Sequence, residues 1–192
     1  YLHLHTPNLQ AFMPELLGLP KLTYFSAITA LPWESYLPVL ANETALQHLD
    51  LQACSLETIV GELENLQQLH YLNLSDNPNL DPETLFRVLP HLAQLRHLGL
   101  AGLNLNQLPD DLSNLETLQH LDLSHNLLKE VDALEQLTQL QTLKLNDNQL
   151  SELPPSLSIL TKLTRLELSQ NNRLELALLM EILLGLPELK AL

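Results

Sequence analysis

The sequence is poor in several residue types that mark other classes of protein. Aromatic residues make up 4% of its 192 residues, and it has only 5 glycines and one cysteine, Cys54. No glycine-rich phosphate-binding loop is present, which removes the usual sign of a nucleotide-binding enzyme. A lone thiol cannot form an internal disulfide, so a disulfide scaffold is excluded and a cytoplasmic environment is slightly favoured.

Positive charge is scarce as well. The chain has 9 basic and 23 acidic residues, for a formal net charge of -14, and it contains no lysine- or arginine-rich run. Such a charge disfavours attraction to the phosphates of nucleic acids or to anionic membranes. We therefore expect a protein or peptide partner and no nucleic acid.

Long hydrophobic runs are missing too. The most apolar stretch, residues 174–186, is interrupted by Glu175 and Glu181, and it is shorter than the ~20 residues needed to span a bilayer as a helix. The first ten residues have neither the basic start nor the apolar segment of an export signal. We expect no membrane insertion.

Leucine, by contrast, recurs at regular spacing. The pattern LxxLxLxxNxL is found in six clear copies, whose first leucines are Leu46, Leu69, Leu95, Leu118, Leu140 and Leu163. Two degenerate copies start near residues 1 and 22. Alternation within each LxLx segment predicts a strand with leucines facing inward, and every turn returns the chain in the same direction, so the strands are predicted to pair in parallel.

The asparagine position of the pattern predicts a polar ladder inside the molecule. It is filled by Asn77, Asn126, Asn148 and Asn171, and by Cys54 in an earlier copy. We expect the amides to bond backbone groups that a bend leaves unpaired. Leu103 and Ala30 take this place without an amide, so the asparagine ladder is predicted to be interrupted there.

The rest of each repeat differs between copies. Leucines at a period of three, with Pro109 and Pro154, predict short extended or 3₁₀ segments. Asp81 before Pro82 predicts an N-cap and an α-helix that reaches Leu89, and residues 176–184 predict a second helix. The segment 31–38, which contains Trp33 and Tyr36, is interpreted as an irregular turn holding a packed plug, with an exposed docking loop as the alternative.

These motifs resemble those of the leucine-rich repeat family, whose period of about 20–29 residues they match. The resemblance covers nearly the whole chain and is closest to bacterial or plant repeats. It implies an α/β fold: a curved right-handed solenoid with a parallel sheet on the concave face and short 3₁₀ or extended segments and a few α-helices on the convex face. We expect one domain, 1–192, of about eight repeats starting near residues 1, 22, 46, 69, 95, 118, 140 and 163. Both ends lack polar caps, so a fragment of a longer chain is expected.

Residues that point outward from the strands form columns across the repeats. The first of these, which we call the ring column, consists of Tyr1, Tyr24, His48, Tyr71, His97 and His120. The next, the middle column, includes Asp50, Asn73, Gly99, Asp122, Lys144 and Glu167. Tyrosine and histidine on strands ~4.8 Å apart suit a binding surface, although the rings could instead stack only to stabilise the sheet. Asp50 and Asp122 make the middle of the surface acidic, and Lys144 and Arg165 are expected to make its end basic.

The sequence therefore predicts a protein-interaction module rather than an enzyme, with no cofactor and no metal. The predicted partner-binding residues are Tyr24, His48, Asp50, Tyr71, Asn73, His97, His120 and Asp122. His97 and His120 lack the further ligands of a metal site, and Cys54 occupies an inward position. Two alternatives stay open: a sensing or substrate-recruiting arm of a larger GTPase, kinase or ubiquitin ligase, and a bacterial surface adhesin.

Overall fold

The structure is a computed structural model, and it describes part of the chain. The described ranges are 2–4, 21–28, 31–59, 61–109 and 112–192, with backbone alone at 2–4, 62, 113 and 176–178. Tyr1, His5 and Ala30, for which the sequence supports expectations, lie outside these ranges. His3 lies within them, but its side chain is not described.

A single parallel sheet organises the described residues. Its strands are β1 (Leu2–Leu4), β2 (Tyr24–Ala27), β3 (His48–Asp50), β4 (Tyr71–Asn73), β5 (His97–Gly99), β6 (His120–Asp122), β7 (Thr142–Lys144) and β8 (Arg165–Glu167). They pair in sequence order, each with the next. The predicted solenoid with a parallel sheet is confirmed, because consecutive coils lay their strands side by side in the same direction.

The register of the sheet confirms the predicted columns. Tyr71 pairs with His48 on one side and with His97 on the other, and Gly99 pairs with Asp122. The leucines between them face inward, and Leu49 and Leu143 are fully buried. Since each coil buries its apolar side against its neighbours, one continuous leucine core runs beneath the sheet.

The asparagine ladder closes the bend after β4, β6, β7 and β8, at Asn77, Asn126, Asn148 and Asn171. Oδ1 of Asn77 accepts hydrogen bonds from the backbone amides of Cys54 and Leu56, and its Nδ2 donates to the carbonyl of Leu51, all in the preceding coil. At Leu103 the ladder is interrupted as predicted. There the neighbouring Asn104 donates to the carbonyl of Pro78, at 3.1 Å.

The opposite side carries short helices, as the period-three leucines predict. The 3₁₀ helices are Gly61–Asn65, Leu89–His91, Ser113–Leu115, Asp132–Gln136 and Pro155–Ile159. The α-helices are α1 (Trp33–Leu40), α2 (Pro82–Val88) and α3 (Leu176–Leu184). The two predicted helices are confirmed, and Asp81 caps α2 by accepting from the amides of Glu83 and Thr84.

Helix α1 corrects the sequence-based interpretation of residues 31–38. An irregular turn was predicted there, but Trp33 begins an α-helix that continues through Pro38 to Leu40. The packed-plug interpretation is right for Trp33, which is buried with its ring edge-on to Phe25 at a centroid distance of 6.4 Å. Helix α1 therefore anchors the core beneath β2.

Among the described residues, no helix combines the length and the apolar character needed to cross a bilayer.

Candidate functional site

The ring column forms a nearly continuous stack on the exposed face of the sheet. Ring centroids are 4.0 Å apart between Tyr24 and His48 and 3.9 Å apart between His48 and Tyr71. His97 and His120 stack at 4.2 Å. Parallel strands fix this spacing, because residues in register lie about one strand separation apart. Each of these side chains is half-buried, so the column presents ring surface to solvent.

The stack is broken at one interval. The rings of Tyr71 and His97 lie 5.8 Å apart and are tilted by 32°. The coil that joins their strands is the 26-residue repeat and contains α2. Part of the facing ring surfaces is therefore uncovered between these two residues.

Burial makes the histidines of the column poorly basic. Desolvation lowers the pKa of His48 below its ordinary value despite the attraction of Asp50. Desolvation also lowers the pKa of His97, with repulsion from His120 as the next cause, and desolvation lowers that of His120. These rings are therefore neutral at pH 7 and offer both a donor and an acceptor. The pKa of Tyr71 is raised by burial and by the negative field of Asp50.

This arrangement predicts a fall in stability on mild acidification. The unfolded chain takes up protons on its histidines near pH 6.5, whereas these rings resist protonation in the fold. The contribution of the neutral column histidines to the free energy of unfolding is therefore complete above pH 6.5 and is lost as the pH falls below it. We expect the free energy of unfolding, measured by urea denaturation, to be lower at pH 5 than at pH 7.5. A variant with His48, His97 and His120 changed to glutamine should flatten this slope. An unchanged slope in the triple variant would contradict the assignment.

The middle column carries the charges of the face. Asp122 is bridged to Lys144 at 2.9 Å and accepts hydrogen bonds from Ser124, and these interactions hold its pKa below the ordinary value although burial opposes them. Arg165 pairs with Glu167 at 2.7 Å. The prediction that this end of the surface is basic is therefore wrong in part, because Lys144 and Arg165 are each paired with a carboxylate on the same face.

A groove of about 630 Å³ runs along this face, which is therefore concave. It brings together five of the predicted site residues: Tyr71, Asn73, His97, His120 and Asp122. Tyr24, His48 and Asp50 continue the same columns beyond the end of the groove on β2 and β3.

Sequence reasoning missed two features of the groove. Gly99 and Ala101 form a floor of small residues on β5 and just after it. The signal for this floor is in the sequence, because both residues occupy outward-facing positions where the other repeats carry larger side chains. Oδ1 of Asn146 is buried and accepts no hydrogen bond from the described residues, and this depends on side-chain conformation that no pattern reveals.

No metal-holding cluster of three or more His, Cys, Asp or Glu side chains occurs in the part of the chain that the structure describes. Cys54 is buried, and its thiol lies 3.0 Å from the carbonyl oxygen of Ala27, as its inward position predicted.

Comparisons with known proteins agree with this architecture. The leucine-rich repeat family model matches residues 116–155 and 138–179. No curated protein matches the sequence. Among solved structures, a leucine-rich repeat protein of Leptospira interrogans is 26% identical with a TM-score of 0.69, over 91% of this chain and 49% of its own. The chain thus spans about half the length of that relative.

Two further structures are similar. The plant peptide hormone receptor RGFR1, solved in complex with RGF2, is 28% identical with a TM-score of 0.68, over 93% of this chain and 29% of the receptor. An internalin C2 of Listeria monocytogenes is 24% identical with a TM-score of 0.69, over 94% of this chain and 73% of the internalin, and supports the fold alone. With its repeated motif, its asparagine ladder and its register of parallel strands, the chain has the leucine-rich repeat fold.

Proposed function

We propose that the chain is a protein-interaction module that holds a peptide or protein segment on its concave face. The observation that carries this proposal is the ring column, in which Tyr24, His48, Tyr71, His97 and His120 stand in consecutive strands with half-exposed rings. The last three of these rings line the groove. Tyrosine gives a large contact area with little conformational entropy to lose, and neutral histidine both donates and accepts hydrogen bonds.

The stacked rings also stabilise the sheet, and the two roles are compatible. An aromatic pair contributes about 0.5–1.5 kcal/mol beyond the burial of its surface. A purely structural column, however, would have no need of a groove beside it lined by Asn73, Asp122 and other polar side chains. Rigid rings held by their neighbours lose little freedom when a partner docks, and this favours binding.

The relatives support a polypeptide as the partner. The plant relative is a peptide hormone receptor and was solved in complex with RGF2. We extend this class of partner to the present chain, whose net charge of -14 disfavours nucleic acid. The proposed contact residues are Tyr24, His48, Asp50, Tyr71, Asn73, His97, His120 and Asp122. We propose no catalytic role for any of them, and the extent of the domain over 1–192 remains a prediction.

Selection of displayed random peptides against the intact chain tests this proposal. Changing Tyr71, His97 and His120 together to alanine should weaken the selected peptides tenfold or more, since central aromatic contacts cost about 1–2 kcal/mol each and 1.4 kcal/mol is tenfold in affinity. Dissociation constants from fluorescence anisotropy give the measurement, and circular dichroism melts verify that the variant is folded.

The matched control changes three exposed residues outside the groove, His91, Glu116 and Glu135, to alanine. This control should bind like the parent chain. Equal affinity of the folded concave variant and the parent would overturn the proposal, and so would loss of binding in the control alone.

A further inference from the structure

Gly99, on strand β5, belongs to the floor of the groove. A Cβ atom at this position would lie 2.4 Å from Oδ1 of Asn73 and 3.0 Å from Oγ of Ser75. Real Cβ atoms do not approach so closely, so the glycine leaves room for the Asn73 carboxamide, which lies against β5 where a side chain would otherwise stand. Ala101 and Ser124 extend the small-residue floor beside it.

Carboxylates outnumber cations around the groove. Asp76, Asp122 and Glu167 line it, against Lys144, which is bridged to Asp122, and Arg165, which pairs with Glu167. Asp50 stands on the same face, two strands before Gly99. Since burial keeps the pKa of His97 and His120 low, these rings do not offset the acidic charge near neutral pH. The field therefore attracts a cation and repels an anion.

Several acceptors around Gly99 have unused capacity. Oδ2 of Asp122 accepts from Nζ of Lys144, and Oδ1 of Asn73 accepts from the amide of Ser75 at 3.1 Å. Each oxygen has about two lone-pair sites, so each can accept one more hydrogen bond.

Ring faces border the same part of the groove. The gap in the ring column falls between Tyr71 and His97, and His97 is on the same strand as Gly99. A flat cation at this gap can lie against ring surface while its N–H groups reach the neighbouring oxygens. A guanidinium matches this combination, because it is planar, always charged and carries several donors in a fixed fork. An ammonium group, a compact point charge, matches it less well.

The length of the groove indicates a polypeptide. Its lining extends from Gln52, after β3, to Glu167 of β8, which is five strand intervals, or roughly 24 Å at ~4.8 Å each. About seven residues of extended chain cover this distance. We propose that an extended peptide lies along the groove and places an arginine side chain over Gly99, between the gap at Tyr71 and His97 and the carboxylate of Asp122. This inference rests on the function proposed above and adds the chemistry of the partner.

The probes that test it are peptides selected from a random display library against the intact chain, each then resynthesised with its basic residue replaced. We expect arginine to be enriched at one position. Replacement by citrulline, which keeps the shape and loses the charge, should weaken binding at least tenfold, and replacement by lysine should weaken it less. Binding should also weaken as salt is raised from low to physiological concentration.

Two variants of the protein locate the contact. Gly99→Ala displaces the Asn73 carboxamide from its place against β5 and crowds Oγ of Ser75, so it disturbs the acceptors that the arginine would meet. Asp122→Asn removes the carboxylate. Each should lower affinity for the arginine peptide at least tenfold and have a much smaller effect on the citrulline peptide. Asp132→Asn, at an exposed position in a 3₁₀ helix away from the sheet, makes the same change of net charge and should leave affinity unchanged.

The outcomes separate this inference from the function on which it rests. If selected peptides depend on Tyr71, His97 and His120 but have no enriched arginine, or bind Gly99→Ala normally, the arginine assignment is wrong and the interaction module stands. If no peptide is selected, or if binding survives the ring substitutions, both proposals fail. A dependence of citrulline and arginine peptides on Asp122 to the same degree also contradicts the inference.

Discussion

Replacing Leu143 with alanine is expected to lower the free energy of unfolding by about 2–5 kcal/mol. Leu143 is fully buried on β7 and pairs in register with Leu121 and Leu166 on the flanking strands. Its side chain therefore fills space between two coils, and truncation leaves a cavity that neither coil can close alone. Urea denaturation followed by circular dichroism measures the change.

Leu143→Met provides the control, because it keeps the volume and should cost less than about 1.5 kcal/mol. A loss below 1 kcal/mol for the alanine variant would mean that the coils are not packed around this column of leucines. The interpretation of the repeats as stacked turns with a shared core would then be wrong.

Asn126→Ala is expected to destabilise the chain by about 3 kcal/mol or more. Oδ1 of Asn126 accepts from the amides of Leu103 and Leu105, and Nδ2 donates to the carbonyls of Leu100 and Leu123. Alanine would leave two buried amides without acceptors, and each such group costs about 1–3 kcal/mol. The effect should be large for a single polar side chain, because Leu103, which takes the ladder position in the preceding coil, has no side-chain amide that could replace these bonds.

Asn114→Ala is the matched control, since Asn114 is exposed in a 3₁₀ helix. This change should alter stability by no more than about 0.5 kcal/mol. Hydrogen exchange adds a local readout, because the amides of Leu103 and Leu105 should lose protection in the Asn126 variant. Retained protection with unchanged stability would contradict the role assigned to the ladder.

Most of the scaffold could be predicted because the repeat leaves little freedom. Alternation of leucine with polar residues fixes which side chains face the core, and alignment of the repeated motif fixes the register whatever the length of each repeat, so Tyr71 had to lie between His48 and His97. The interruption at Leu103 followed from the same reasoning, since a side chain without an amide cannot bond the neighbouring bend.

Other features depend on side-chain conformation or on local exceptions. Helix α1 was missed because Pro32 and Pro38 normally interrupt helices, yet Pro32 precedes α1 and the helix continues through Pro38. The tilt between Tyr71 and His97 is set by side-chain torsions that the register leaves open. The ion pair of Asp122 with Lys144 could have been found, because these residues are neighbours in the middle column.

A crystal structure of the intact chain with its tightest selected peptide tests the central claim most directly. We expect the peptide to lie along the groove, with ring contacts to Tyr71 and His97 and a basic side chain over Gly99. A peptide seated on the 3₁₀ helices of the opposite side, against residues such as Asp132, with the ring column open to solvent, would contradict it.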